Sequence, residues 1–298
     1  MTTLKKIAVI NDLSGLGKCS LTAAIPVISV MGLQACPLPT AILSNQTGYA
    51  SYFFDDYTEH MEAYMLEWKK RGFQPDGIYT GFLAGEAQAD KLLKFFDLFV
   101  QKDTQVLVDP IMGDEGHAFA FCTEKLLLQM QTLAERAWYL TPNLTEAMLL
   151  LYGKEGMKKR WKSFENLKEP VLKGDIEMLG AALAKRFSLK ALAITGVTYS
   201  SEAGTPMVGN FVFEGGKSQW ICSVRTGGSF SGTGDLFASA FLAGMMRGRT
   251  AFAAAQKAIA FLSAAIAKTV QEGTDRNEGV CFEPELSLLL EEESILEP

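Results

Sequence analysis

Ser231-Gly232-Thr233-Gly234-Asp235 runs without a break into the apolar stretch Leu236 to Ala243. Two glycines around a threonine allow a tight turn that points several backbone N–H groups one way. The helix start behind them adds unpaired N–H groups and the positive end of its dipole. Such a nest attracts an anion. Asp235 puts a carboxylate at its lip, where it can take a proton from a hydroxyl attacking a phosphoryl group held by the amides. A purely structural account fits as well: Thr233 or Asp235 caps the helix, and Gly232 and Gly234 serve the turn.

Asp109-Pro110-Ile111-Met112-Gly113-Asp114 follows the apolar run Gln105 to Val108 with an acid, a rigid turn and a second acid. Two carboxylates there suit a magnesium phosphate site. Magnesium commonly uses one or two carboxylates, often through water, and draws other ligands from phosphate oxygens. The alternative is that Asp109 caps backbone groups and Asp114 lies in solvent. In Thr141-Pro142-Asn143-Leu144-Thr145-Glu146, Asn143 reads as a helix N-cap and Glu146 as its capping-box partner. The same two side chains also stand where a metal's water shell could be held.

Asp12-Leu13-Ser14-Gly15-Leu16-Gly17-Lys18-Cys19-Ser20 joins a strand to a helix but is not a P-loop. That motif needs glycine where Asp12 stands and serine or threonine where Cys19 stands. A loop lining a pocket and ordinary turn chemistry both remain open. Ser44-Asn45-Gln46-Thr47-Gly48-Tyr49, with the aromatic residues to Phe54, could grip a flat ring or cover the core under a loop. His60 and His117 have no partners suggesting a triad or a metal set and read as surface residues.

These residues need a scaffold. Ile7 to Ile10 is a branched apolar run, followed by polar, glycine-rich residues 11–18 and a helical stretch from Leu21 to Met31. The unit recurs: Gly77 to Thr80 before Glu86 to Val100, Gln105 to Val108 before Thr123 to Ala134, and Trp138 to Leu140 before Leu144 to Tyr152. A further strand is predicted at Leu192 to Thr195. Apolar strands alternating with amphipathic helices predict an α/β fold, a mostly parallel sheet with helices on both faces. Ligands gather at the strand C-terminal ends of such sheets. Asn11-Asp12, Thr80-Gly81, Asp109-Pro110, Thr141-Pro142-Asn143 and Thr195-Gly196 all fall there.

Val208 to Phe213 and Ser218 to Val224 predict an antiparallel pair, and two helices follow the nest, one through Arg247 and one from Thr250 to Glu272. No composition shift marks a boundary, so residues 1–298 read as one domain, with 153–174 as a charged surface insertion.

With 298 residues, 48% of them hydrophobic, the chain can bury a large core. No uninterrupted apolar stretch reaches the roughly 18 to 20 residues that span a bilayer, and a strand expected near Leu4 leaves no room for a signal peptide. A cytoplasmic protein without a membrane partner is expected. Its five cysteines lack paired spacing, which predicts free thiols. A net charge of −6 without a long basic tract argues against a nucleic-acid partner.

In order along nearly the whole chain, these segments resemble the ribokinase-like superfamily, most closely its pyridoxal kinase branch. The resemblance rests on residues 12–17, Ser44 to Thr47, Tyr79-Thr80-Gly81, Asp109 to Asp114, Thr141-Pro142-Asn143 with Glu146, Thr195-Gly196 and Gly232-Thr233-Gly234-Asp235. It implies ATP-dependent phosphorylation of the 5′-hydroxymethyl group of a B6 vitamer. By position, Asp235 resembles the catalytic base and Gly232, Thr233 and Gly234 the anion hole. Asp109 and Asp114 resemble the acids near phosphate and metal, and Asn143, Glu146 and Thr195 positions around magnesium and ATP. Thr47 and Tyr79 resemble ring contacts. A flap, a monovalent cation such as K+ and a homodimer are implied as well.

One departure matters. Pyridoxal kinases commonly carry Ser-His where this chain has Asp12-Leu13, and Asp12 with Ser14-Gly15 looks more like hydroxymethylpyrimidine kinases. Asp12 and Ser14 are therefore candidate acceptor contacts, and hydroxymethylpyrimidine phosphorylation is the alternative reading. Those kinases typically have cysteine after Gly-Thr-Gly, where this chain has Asp235. A third reading is a vitamer-binding protein without catalysis.

Overall fold

The computed structural model describes residues 4–164 and 167–290. The strands are β1 (Lys6–Ser14), β2 (Gln34–Leu43), β3 (Phe54–Asp56), β4 (Gly77–Thr80), β5 (Gln105–Val108), β6 (Gly113–Asp114), β7 (His117–Ala118), β8 (Tyr139–Leu140), β9 (Ala191–Ser200), β10 (Pro206–Glu214) and β11 (Lys217–Val224). The helices are α1 (Ser20–Val30), α2 (Thr58–Lys70), α3 (Glu86–Phe99), α4 (Glu124–Ala134), α5 (Leu144–Phe164), α6 (Glu169–Arg186), α7 (Thr233–Met246) and α8 (Ala251–Glu272). Among the described residues nine strands form one sheet in the order β11-β10-β9-β8-β5-β4-β1-β2-β3, and β6 and β7 form a separate hairpin. From β9 to β2 the neighbours run parallel, and β3, β10 and β11 join antiparallel.

Successive strand residues point to opposite faces, so each strand feeds two cores. Ala8, Ile10, Ile78, Val106, Val108 and Leu140 enter the core under α2 to α6. Ile7, Val9, Tyr79, Leu107 and Tyr139 enter the other, under α1, α7 and α8. Burial on both faces explains why the strands read as unbroken apolar runs. On the second face small residues let helices approach closely: a Cβ on Gly244 of α7 would lie 2.9 Å from Cβ of Ala254. By length and composition α8 is the one helix among the described residues that could cross a membrane, and Ala254, Ala255, Ala258, Phe261 and Ala265 bury its inner face in this core.

Three expectations change. Residues 153–174 are not a surface insertion, although 165 and 166 lie outside the described residues. α5 turns at Gly153 (φ +70°) and continues as helix. α6 follows, burying Leu172, Ile176, Leu179 and Leu183. The reading failed because the stripe is short and set among charges: Met157 is buried, and Trp161 and Phe164, at i+4 and i+7 from it, are half-buried against the core. β1 does not stop before Asn11 but bulges between Asn11 and Leu13 and runs on to Ser14. β9 likewise continues through Thr195 to Ser200.

β2 and α2 were not anticipated. Pro37 and Pro39 interrupt the β2 pattern, and two prolines two residues apart remove N–H groups on the same side of the strand.

Candidate active site

Four carboxylates meet at the C-terminal edge of the parallel strands. Asp12 on β1, Asp109 after β5, Glu146 on α5 and Asp235 on α7 are 6%, 6%, 5% and 8% exposed.

Asp235 lies in the first turn of α7. Its Oδ1 accepts from Asn11 Nδ2 at 2.9 Å and from the Tyr79 hydroxyl at 3.0 Å, and its Oδ2 accepts from the Ser20 backbone N–H at 2.8 Å. Asn11 is held in turn, its Oδ1 accepting from the N–H groups of Asp12 (3.0 Å) and Phe82 (2.8 Å). Gly81 is glycine because a Cβ there would lie 2.4 Å from Asn11 Nδ2. Tyr79, expected as a ring contact, is fully buried and supports Asp235 instead. Strand alternation turns it beneath the site rather than toward the cleft.

α7 starts at Gly232 (φ +81°), and no side chain caps it. The Thr233 hydroxyl donates backward to the Phe230 carbonyl at 3.2 Å, and both Asp235 oxygens are engaged elsewhere. The capping account of the motif is therefore not realised. Thr233 and Gly234 line a cleft of about 1290 Å³. Asn143 and Thr195 share that cleft, and Val197, Phe230, Ile259 and Ile266 give it apolar walls.

A second helix start faces the same carboxylate. Entering α1 the chain passes through positive φ at Gly17 (+115°), Lys18 (+46°) and the first helical residue, Ser20 (+52°). For the two residues other than glycine this costs about 1–2 kcal/mol each. The Ser20 hydroxyl donates to Asp12 Oδ1, and the Ser14 hydroxyl to Asp12 Oδ2 at 2.8 Å. Asp12 and Ser14, expected to face an acceptor, thus spend their polar atoms on each other and on Ser20.

Asp109 Oδ1 accepts from the Thr141 hydroxyl at 2.9 Å. Its Oδ2 lies 4.0 Å from where a Cβ on Gly234 would stand, which puts it beside the nest. The capping box forms as expected: Glu146 Oε2 accepts from Asn143 N–H (2.8 Å), and Asn143 Oδ1 accepts from Glu146 N–H (2.9 Å). Glu146 Oε1 also accepts from Met112 N–H at 3.2 Å, and Asn143 Nδ2 donates to the Gly113 carbonyl at 2.8 Å. Asp114 is exposed on the β6–β7 hairpin, where it lines the same cleft as Asn143 and Thr233, with Oδ1 accepting from Glu115 N–H at 2.9 Å. Thr195 pairs with Asn143 through a single bridge, its N–H donating to the Pro142 carbonyl at 2.9 Å. Thr47 is exposed on a turn. Its neighbour Gln46 is the buried one, with Nε2 donating to Asn277 Oδ1 at 3.1 Å.

Among the described residues, the four buried acids draw hydrogen bonds from hydroxyls, amides and backbone N–H groups, not from lysine or arginine. Burial pushes Asp109 up to about 8, with the charge of Asp235 adding to it. Burial also raises Glu146 well above the carboxylate range, again with Asp109 adding. Asp12 rises to about 6 by burial against the bonds from Ser20 and Ser14. Asp235 is raised by burial and held back by Ser20, Tyr79 and Asn11. Acids concentrated without a resident cation make a place where a divalent cation is stabilised. No three His, Cys, Asp or Glu side chains among the described residues converge as a ligand set.

Asn11 and Ser20 were missed as site residues. Asn11 had a sequence signal, since a glycine after Thr80 marks close approach by a neighbouring strand. Ser20 had none.

The family model described as phosphomethylpyrimidine kinase matches residues 17–279. A Bacteroides thetaiotaomicron protein assigned as a phosphomethylpyrimidine kinase superposes with a TM-score of 0.87 at 31% identity, covering 97% of this chain and 94% of that one. An orthorhombic form of that protein, with pyridoxal, gives a TM-score of 0.85 at 32% identity over 96% of both chains. The pyridoxine/pyridoxal/pyridoxamine kinase of Bordetella avium is 26% identical over 254 residues, 83% of this chain and 79% of the relative. With the kinase of the same name from Bordetella bronchiseptica, identity is 28% over 132 residues, 43% of this chain, and the match spans about half (47%) of the relative's length. Both branches that the motifs resemble are present among these relatives. With the family model spanning most of its length, the chain belongs to the phosphomethylpyrimidine kinase family.

Proposed function

We propose that this protein transfers the γ-phosphoryl group of ATP to the 5′-hydroxymethyl group of pyridoxal, pyridoxine or pyridoxamine. One observation carries the reading: the uncapped start of α7 opens on a large cleft, with buried Asp235 held by three donors beside it. Uncapped amides supply an anion hole, and a fixed carboxylate supplies a base.

In this mechanism Asp235 takes the hydroxyl proton as the alcohol oxygen bonds to the γ-phosphorus and the bond to the β–γ bridging oxygen breaks, leaving ADP. The amides of Gly232, Thr233 and Gly234 hold the transferring group. Bound magnesium neutralises phosphate charge. Asp109 would hold it, with Glu146 and Asp114 acting through water. Asn143 and Thr195 border the nucleotide. The resemblance supports Thr47, exposed on its turn, as an acceptor contact. The names of the Bordetella relatives and the pyridoxal in the Bacteroides structure support a pyridine acceptor. Hydroxymethylpyrimidine has less support, because Asp12 and Ser14, which motivated it, are satisfied internally. Retention of every residue of the nest weighs against a non-catalytic binding protein.

The resemblance supports a homodimer and a monovalent cation such as K+. ATP use supports the cytoplasm, and one sheet running through nine strands supports a single kinase domain. An ADP-release assay with magnesium, ATP and each B6 vitamer, run beside 4-amino-5-hydroxymethyl-2-methylpyrimidine, tests the proposal. ADP formation with a vitamer is expected. No ADP above background with any vitamer would sink it.

A further inference from the structure

Asp12 marks the departure of this chain from the pyridoxal kinase pattern, and its surroundings do not suit a substrate contact. It is 6% exposed. One carboxylate oxygen accepts from the Ser20 hydroxyl and the other from the Ser14 hydroxyl at 2.8 Å. Ser20 in turn aims its backbone N–H at Asp235 Oδ2, 2.8 Å away, while its own backbone sits at φ +52°. A serine left to itself avoids that conformation. Some contact must hold it there, and the bond from its hydroxyl to Asp12 is the one anchoring its side chain. The path from Asp12 to Asp235 thus runs through one residue whose two polar groups point in opposite directions.

We infer that Asp12 is a positioning residue: with Ser14 behind it, its carboxylate clamps Ser20 in the left-handed conformation that points the first N–H of α1 at Asp235. This rests on the reading of Asp235 as the base. It replaces acceptor recognition, the role the sequence suggested for Asp12, with support of the base. Without the clamp, Ser20 relaxes, Asp235 Oδ2 loses its donor, and the carboxylate is no longer held toward the acceptor hydroxyl.

The test exploits glycine, which adopts φ +52° freely and still carries the N–H. Steady-state kinetics with saturating magnesium and ATP and varied vitamer would be measured for Asp12→Ala, Ser20→Ala, Ser20→Gly and Asp12→Ala/Ser20→Gly. Asp12→Ala and Ser20→Ala are expected to lower kcat about tenfold or more while the vitamer KM stays within about twofold, the pattern of a lost transition-state contribution. Ser20→Gly should keep about tenfold more kcat than Ser20→Ala, though both lack the hydroxyl, because only the alanine resists the backbone conformation. Asp12→Ala should cost little further in the Ser20→Gly background. The inference is overturned if Asp12→Ala raises the vitamer KM with kcat kept, or costs the same in both backgrounds, or if Ser20→Gly and Ser20→Ala are equally impaired. The two Ser20 variants decide the matter even if Asp12→Ala does not fold. Asp235→Asn separates the levels: turnover near wild type there removes the base itself, whereas an additive Asp12 effect removes only the clamp.

Discussion

Two helices begin at the same carboxylate and do so by different means. α7 starts from Gly232 at φ +81°, where a Cβ would lie 2.2 Å from the Lys18 carbonyl. α1 starts from Lys18 and Ser20 at φ +46° and +52°, side chains kept where glycine would be easier. The first corner is shaped by the absence of a side chain, which leaves its amides open to an anion. The second is shaped by side chains, which spend its first N–H on Asp235. One helix start is built for a ligand and the other for the residue that serves the ligand. Strain held at the second is the cost of orientation, as at many functional sites.

Asp235, where the two meet, gives the largest expected effect. Asp235→Asn keeps the size and one acceptor oxygen but cannot take a proton, so kcat should fall by about 10² to 10⁴, and its amide nitrogen, facing a donor, should cost about 1–3 kcal/mol of stability without unfolding the chain. Single-turnover kinetics and a thermal melt check both halves. Turnover near wild type would leave the convergence of the helices without a catalytic purpose.

Next comes Gly232→Ala, which asks whether the α7 corner tolerates what the α1 corner carries. It should not, since the clash is with backbone rather than with a flexible side chain, and positive φ adds to it. A destabilisation of about 2–4 kcal/mol is expected, with weakened nucleotide binding. Chemical denaturation and ATP titration would measure the two losses. A variant as stable as wild type would show that the corner is more plastic than its geometry.

Asp12 sharpens the comparison through pH. Its pKa is raised from 3.8 to about 6, so the folded state binds the proton more tightly than the unfolded chain. Its contribution is complete below pH 3.8, declines as pH rises toward about 6, and then levels. The loss is on the order of 3 kcal/mol. Asp12→Asn removes this titration, so stability of the wild type relative to the variant should fall between pH 4 and 6, by about that amount. Denaturant midpoints across pH 3.5 to 8 would show the slope. A constant difference would place the charge of Asp12 in a more solvated setting than its burial indicates.

The unequal legibility of these corners has a physical cause. Glycine at a forced left-handed position, as at Gly232, leaves a mark in the sequence, so the α7 nest could be read; Gly81 is glycine for another reason, the close approach of Asn11. Asn143 and Glu146 were legible because a capping box is local, three residues from donor to acceptor. Alternation of apolar strands announced the sheet and its decorated edge. Lys18 and Ser20 leave no such mark, because nothing in their side chains calls for positive φ. The bond from Tyr79 to Asp235 spans 156 residues, and no local pattern could distinguish a buried tyrosine with that partner from a ring contact. The second half of α5 carried a short signal that the charges around it masked: Met157, Trp161 and Phe164 fall at i, i+4 and i+7 and pack against the core, set among Lys158, Lys159, Arg160 and Lys162.

The smallest prediction tests the α1 corner without touching its hydrogen bonds to Asp12 and Asp235. Lys18 sits at φ +46°, and its Nζ pairs with Glu283 at 3.0 Å, where both side chains are well solvated and the pair is worth about 0–1 kcal/mol. Lys18→Gly relieves about 1–2 kcal/mol of backbone strain, against about 0.5–1 kcal/mol for the freer unfolded chain. The terms nearly cancel, and a net gain of up to about 1 kcal/mol remains when the ion pair is weak. Stability should therefore hold or rise slightly, with kcat within about twofold because Ser20 keeps its clamp. Opposite signs for Lys18→Gly and Gly232→Ala, measured by denaturant unfolding in the same buffer, are what the two helix starts require. A loss above about 1 kcal/mol at Lys18 would mean that its side chain, not only its backbone, holds the corner in place.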